Sequence, residues 1–201
     1  MKSKFRALRE LSYLPTNDDF QKEFQAQVLA ETNDRGACLL LVANLENALD
    51  EAIMSLLPQL PKERQRFVEQ GGVFAMFSRK IDAASILRIT GPTTNRNLSV
   101  IQHIRNAFAH AKRPIDFDTK EVAALCADLT LLTSLPPYTN RDDEKAALTS
   151  RLIFADACTT LTWLLYYYAT GPLRQLPSDA LRDEHPQFPD CTLYLQRKPL
   201  P

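Results

Sequence analysis

Glycine is scarce in this sequence, with 5 residues in 201. No Gly-rich loop is present to cradle a nucleotide phosphate, and no serine elbow or His-x-x-x-His pair replaces it. Cysteine is scarcer still, with 4. Cys38, Cys126, Cys158 and Cys191 stand far apart, without a Cys-x-x-Cys spacing. A zinc ribbon, a redox dithiol and a dense secreted disulfide scaffold are therefore excluded. We expect reduced thiols in a cytoplasmic protein, with Cys38 and Cys158 as core residues. An excess of one charge is missing too, since 24 Lys and Arg face 24 Asp and Glu. Binding carried mainly by phosphate contacts favours a basic surplus, so only a local basic patch is left to such a role. No apolar run follows the basic N-terminus as a signal peptide requires. The most apolar window, residues 152–169, is interrupted by Asp156, Thr159, Thr160 and Thr162, which suits a buried helix better than a membrane span.

The sequence is rich in helical periodicity. Its apolar content of 45% and charged content of 24% are those of a globular chain. Leu41, Leu45, Ala48, Leu49, Ala52, Ile53 and Leu56 form one wide stripe at 3.6-residue spacing, ended by Pro58. Asn33-Asp34-Arg35-Gly36 precedes it as a break or cap. Glu46 and Asp50 share another face of that helix, with Glu51 nearby.

Further helices are predicted over 1–14, 19–32, 74–89, 97–112, 121–135 and 142–169. Gly91-Pro92, Arg113-Pro114 and Pro136-Pro137 act as breaks between some of them. From Gly171 onward the chain is dotted with proline, and 192–195 has the character of a short strand or extended arm. Period-2 runs are nearly absent. The expectation is an all-α multi-helix bundle over 1–170, followed by an irregular proline-rich C-terminal tail over 171–201.

One segment carries a candidate chemistry: Arg105-Asn106-Ala107-Phe108-Ala109-His110. With Val100 as origin and about 100° per residue, Ile101, Ile104, Ala107, Phe108 and Ala111 join Val100 on the core side. Arg105 then lies at about 140° and His110 at about 280°, with small Ala109 between them, Asn106 on the same face, and His103 extending its edge. A guanidinium offers bidentate donors to a phosphate or carboxylate, and an imidazole exchanges protons near neutral pH. Such residues on a helix flank are more often surface or salt-bridge groups. Trp163, Tyr166, Tyr167 and Tyr168 suggest base stacking, but core packing with hydroxyls at the rim is the better reading.

Two stretches resemble the mannitol operon repressor family of helical proteins. Residues 31–57 contain Thr-Asn-Asp-Arg-Gly-Ala-Cys and Leu-Glu-Asn-Ala-Leu-Asp-Glu-Ala-Ile. Residues 77–121 contain Phe-Ser-Arg-Lys-Ile-Asp-Ala-Ala, Ile-Arg-Asn-Ala-Phe-Ala-His and Asp-Phe-Asp-Thr-Lys-Glu. Together these blocks frame about half of the chain, and the departures from the pattern lie in residues 89–97. The resemblance implies an all-helical fold and a role in transcriptional regulation.

Residues 78–110 superficially suggest a helix-turn-helix, but the break between their helices is too long for that motif's tight turn. Regulation through a protein partner is thus expected in preference to direct DNA reading. Arg105 through His110 also resembles the Arg-x4-His signature of the HEPN class of helical ribonucleases. That likeness implies a homodimer in which His110 moves a proton at a ribose 2′-hydroxyl, Arg105 stabilises phosphate charge, and Asn106 orients one of them. Glu46 or Asp50 would brace Arg105. RNA is then a substrate, with no metal and no cofactor. A third reading makes the same face a non-catalytic dimer interface.

Overall fold

A computed structural model describes residues 23–57 (apart from Gln25 and Leu29), 72–129 and 149–170. The described residues form an all-α structure of packed helices. Among them are α1, Asp34–Ser55; α2, Phe77–Ile86; α3, Pro92–His110; α4, Lys120–Ala127; and α5, Ser150–Thr170. Helical backbone also precedes α1 within residues 23–30, where Val28 joins the core. The expected helix over 1–14, the start of that over 19–32, residues 130–148 of those over 121–135 and 142–169, and the tail from Gly171, including the 192–195 arm, lie outside the described residues.

Helix α1 begins where Asn33 accepts hydrogen bonds on Oδ1 from the backbone N–H groups of Arg35 and Gly36. Two donors that a helix start leaves unpaired are thereby satisfied. Its stripe is buried as the spacing implies, from Leu41 through Ile53. Leu56 is the exception at 38% exposure, because the helix has already ended and Leu56 is its C-cap.

The two longest helices, α1 and α5, pack along one another and run parallel. Asp34 in the first turn of α1 accepts from Arg151 Nη1 at the start of α5, at 2.9 Å. Helix α3 runs the opposite way, since its C-terminal Ala111 carbonyl accepts from Arg35 Nη2 near the start of α1. Helix α2 lies against α1 and α3, and the short α4 packs on α5. A ladder of rings from Phe108 through Phe117 to Phe154 ties α3, the loop after it and α5 together. Its centroids are 4.9 and 5.2 Å apart, and all three rings are at most 1% exposed.

Gly91-Pro92 starts α3 instead of interrupting it. Gly91 is the N-cap and Pro92 occupies the first turn, where a missing N–H breaks no bond. The helix therefore begins five residues ahead of the expected start at residue 97. Helix α2 closes with a paired cap in which Ile89 N–H donates to Ala84 O and Arg88 N–H donates to Ser85 O. Arg88 takes the left-handed conformation that this cap requires, at φ 58°.

Candidate functional site

Position along α3 decides what the Arg105–His110 segment can do. The buried residues of α3 are Thr94, Asn97, Leu98, Ile101, Ile104 and Phe108. Ala107, expected on the core side, is exposed, and Val100 and Ala111 are half-buried. Alanine is a weak reporter of burial, and counting it pulled the expected core arc away from Arg105. The true arc reaches the edge of Arg105, which is half-buried, while His103 and His110 are exposed on the far side. Five positions of α-helix separate Arg105 from His110 by about 140° of rotation. The two side chains therefore leave the helix in different directions. Arg105 Nη1 donates to Asn106 Oδ1 at 3.1 Å, so the amide orients the guanidinium within the described chain. The Arg105 charge also reaches the core, where it acts on the Cys38 thiol of α1.

Glu46 and Asp50 are not the brace of Arg105. Both hold Lys80 of α2, whose Nζ donates to Glu46 Oε1 at 2.8 Å and to Asp50 Oδ2 at 2.7 Å. Cys38 feels the Arg105 charge, and the two carboxylates lie about 12 and 18 Å beyond Cys38 along α1. The structure thus separates the six candidate residues. Arg105 and Asn106 are joined, His103 and His110 share an exposed edge, and Glu46 and Asp50 belong to another cluster.

That cluster is strongly desolvated. Lys80 is 4% exposed, and Asp50 Oδ1 is buried with no hydrogen-bond partner. Burial pushes the Asp50 carboxyl up to about 6 despite the opposing pull of Lys80, and Glu46 and Glu51 add to the rise. Lys80 escaped the sequence reading. Its signal was a lone cation within an apolar helical row, three after Phe77 and four before Ala84, in register with a carboxylate pair spaced i, i+4.

A second polar junction also escaped it. Asp34 accepts from Arg151 and, through Oδ2, from the Phe117 backbone N–H at 3.0 Å. Arg151 Nη2 donates to the Glu31 carbonyl. These bonds fix the loop after α3 against the starts of α1 and α5, and so position the end of the Arg105–His110 segment.

The α5 aromatics divide. Tyr168 enters the core, whereas Trp163 and Tyr166 are half-buried and Tyr167 is 36% exposed. Trp163 stacks on Tyr167 at 5.7 Å and meets Tyr166 edge-on at 6.3 Å. Among the described residues, no cluster of three His, Cys, Asp or Glu could hold a metal ion, and no helix is long and apolar enough to cross a membrane.

These features define a helical bundle with a polar edge at the end of α3. No family model matches the chain, and no curated protein matches it. Among solved structures, it is similar to a chain in the X-ray structure of the MtlR-HPr complex from Escherichia coli. The likeness has a TM-score of 0.58 at 13% identity, and covers 74% of this chain and 99% of the other. At that identity the similarity is one of fold.

Proposed function

We propose that this chain is a helical regulatory module acting in transcriptional control by docking a protein partner, without reading DNA directly. The observation that carries the reading is the fold likeness to a chain from a complex with HPr, over nearly the whole of that chain. The link between α2 and α3 agrees with it. Residues 87–91 and a left-handed Arg88 connect these helices, a longer path than a DNA-reading helix-turn-helix uses. The exposed edge formed by His103 and His110 beside Asn106 is the surface we assign to recognition, in a cytoplasmic homodimer. Titration of purified HPr into the full chain tests this, with His110→Ala and Asn106→Ala as variants. The expected result is saturable binding weakened at least fivefold by either substitution. Equal binding by all three proteins would remove that edge from the contact.

One observation favours a HEPN-type ribonuclease as the second reading: the Arg105 guanidinium is already oriented by Asn106. The rotation between Arg105 and His110 means that a phosphate would be gripped by groups from two chains. Cleavage of mixed-sequence RNA in EDTA, lost in His110→Ala, would support it.

A further inference from the structure

The cluster between α1 and α2 holds one ammonium against two carboxylates. Its geometry leaves an excess negative charge in a desolvated place. The side chains of Lys80, Glu46 and Asp50 are 6%, 21% and 19% exposed. Lys80 Nζ is engaged by Glu46 Oε1 and Asp50 Oδ2, while Asp50 Oδ1 is buried and receives no donor. A buried carboxylate oxygen without a donor is a place where the ionised form is penalised. The buried face of α2 otherwise consists of Phe77, Ile81 and Ala84, so Lys80 is its charged tie to α1. The charges acting on Asp50 are those of Lys80, Glu46 and Glu51. The buried residues of α3, which packs against both helices, are uncharged.

We propose that Glu46, Asp50 and Lys80 form a proton-operated clasp, in which one proton from solvent, taken up on Asp50 Oδ1, tightens the seat of α2 on α1. Uptake cancels the excess charge and leaves Lys80 paired with Glu46. It also removes the charge from the orphaned oxygen. Lys80 closes the first turn of α2, so the clasp sets how firmly that end of the helix is seated on α1.

The sign follows from the folded and unfolded affinities for that proton. The folded carboxyl lies at about 6 and the ordinary value is 3.8. The group's stabilising contribution is therefore fully present below about pH 3.8 and is lost as pH rises through about 6. Between pH 7.5 and pH 5 this linkage favours the folded state by about tenfold.

The test compares the full wild-type chain with Asp50→Asn, a neutral shape match for the protonated acid, by urea unfolding at both pH values. The wild-type folding equilibrium should gain about tenfold more than the variant's on acidification. Equal gains in the two chains overturn the clasp. Amide exchange locates the effect, once corrected for the intrinsic pH dependence of exchange. Protection should rise in α2 relative to α5 in the wild type and not in Asp50→Asn. A change shared equally by α2 and α5 also overturns it. Should the variant fail to fold, the Asp50 carboxyl carbon is followed by NMR in the wild-type chain. A titration midpoint above pH 5 sustains the clasp, and one at or below pH 5 refutes it.

Discussion

Replacement of Phe117 by alanine should unseat the loop that ends the Arg105–His110 segment. Phe117 is 1% exposed, lies outside any helix and packs at a tilt between Phe108 and Phe154. Its backbone is pinned by Asp34, so the loop cannot easily collapse into the space a lost ring leaves. A phenylalanine truncated in a core of this kind costs about 3–5 kcal/mol, transfer and cavity together. Against a domain stability of roughly 5–15 kcal/mol, that is a large fraction. For a chain of this size it lowers Tm by about 6–20 °C. Phe117→Leu keeps most of the volume and should lose about 1.5 kcal/mol or less. Equilibrium urea unfolding followed by circular dichroism, with an unchanged m-value, measures all three. A loss below about 1 kcal/mol in Phe117→Ala would mean that the ladder does not hold α3 to α5.

Other substitutions probe separate parts of the account. Arg88→Gly should raise stability by about 0.5–1 kcal/mol, because glycine enters the left-handed cap without a Cβ penalty; a destabilised variant in urea unfolding would contradict the cap assignment. Lys80→Met leaves two half-buried carboxylates uncompensated and should destabilise by about 3 kcal/mol at pH 7.5, with partial recovery at pH 5; a loss that is equal at both pH values would contradict the charge reasoning. Burial pushes the thiols of Cys38 and Cys126 up to about 12 and raises that of Cys158 as well. A thiol reagent at pH 8 should therefore modify these three only as fast as the chain unfolds, and their labelling within the mixing time would show that the core is open.

The helices were legible wherever large apolar residues recur. Leu41, Leu45, Leu49 and Ile53 on α1 announce a buried face because each is too apolar to leave in water, and their row is continuous. The errors cluster where the signal is small or double-edged. Ala107 fits either side of a helix wall, so it misplaced the core arc of α3. Pro92 is a breaker inside a helix and a starter at its first turn, and only the position of Gly91 as N-cap decides between them.

The candidate site was less legible than the fold. The adjacency of Arg105 and Asn106 follows from sequence, but the partner of Glu46 and Asp50 lies thirty residues or more away, on another helix. Periodicity gives the face on which a residue sits and is silent on which face of which helix it meets. Asp34 and Arg151 illustrate the same limit: both look like surface charges in their own helices, and their role arises only when the parallel packing of α1 and α5 brings two helix starts together. The aromatic run on α5 fell between the two readings, since Tyr168 faces the core and Tyr167 faces outward one residue earlier.

The most direct test of the central claim is a calorimetric titration of the full chain with purified HPr, alongside incubation of the same preparation with mixed-sequence RNA in EDTA. The account predicts saturable heat with HPr, weakened by His110→Ala, and intact RNA throughout. No heat at about 100 μM of each protein, where any Kd below the millimolar range would register, together with RNA cleavage abolished by His110→Ala, would contradict it.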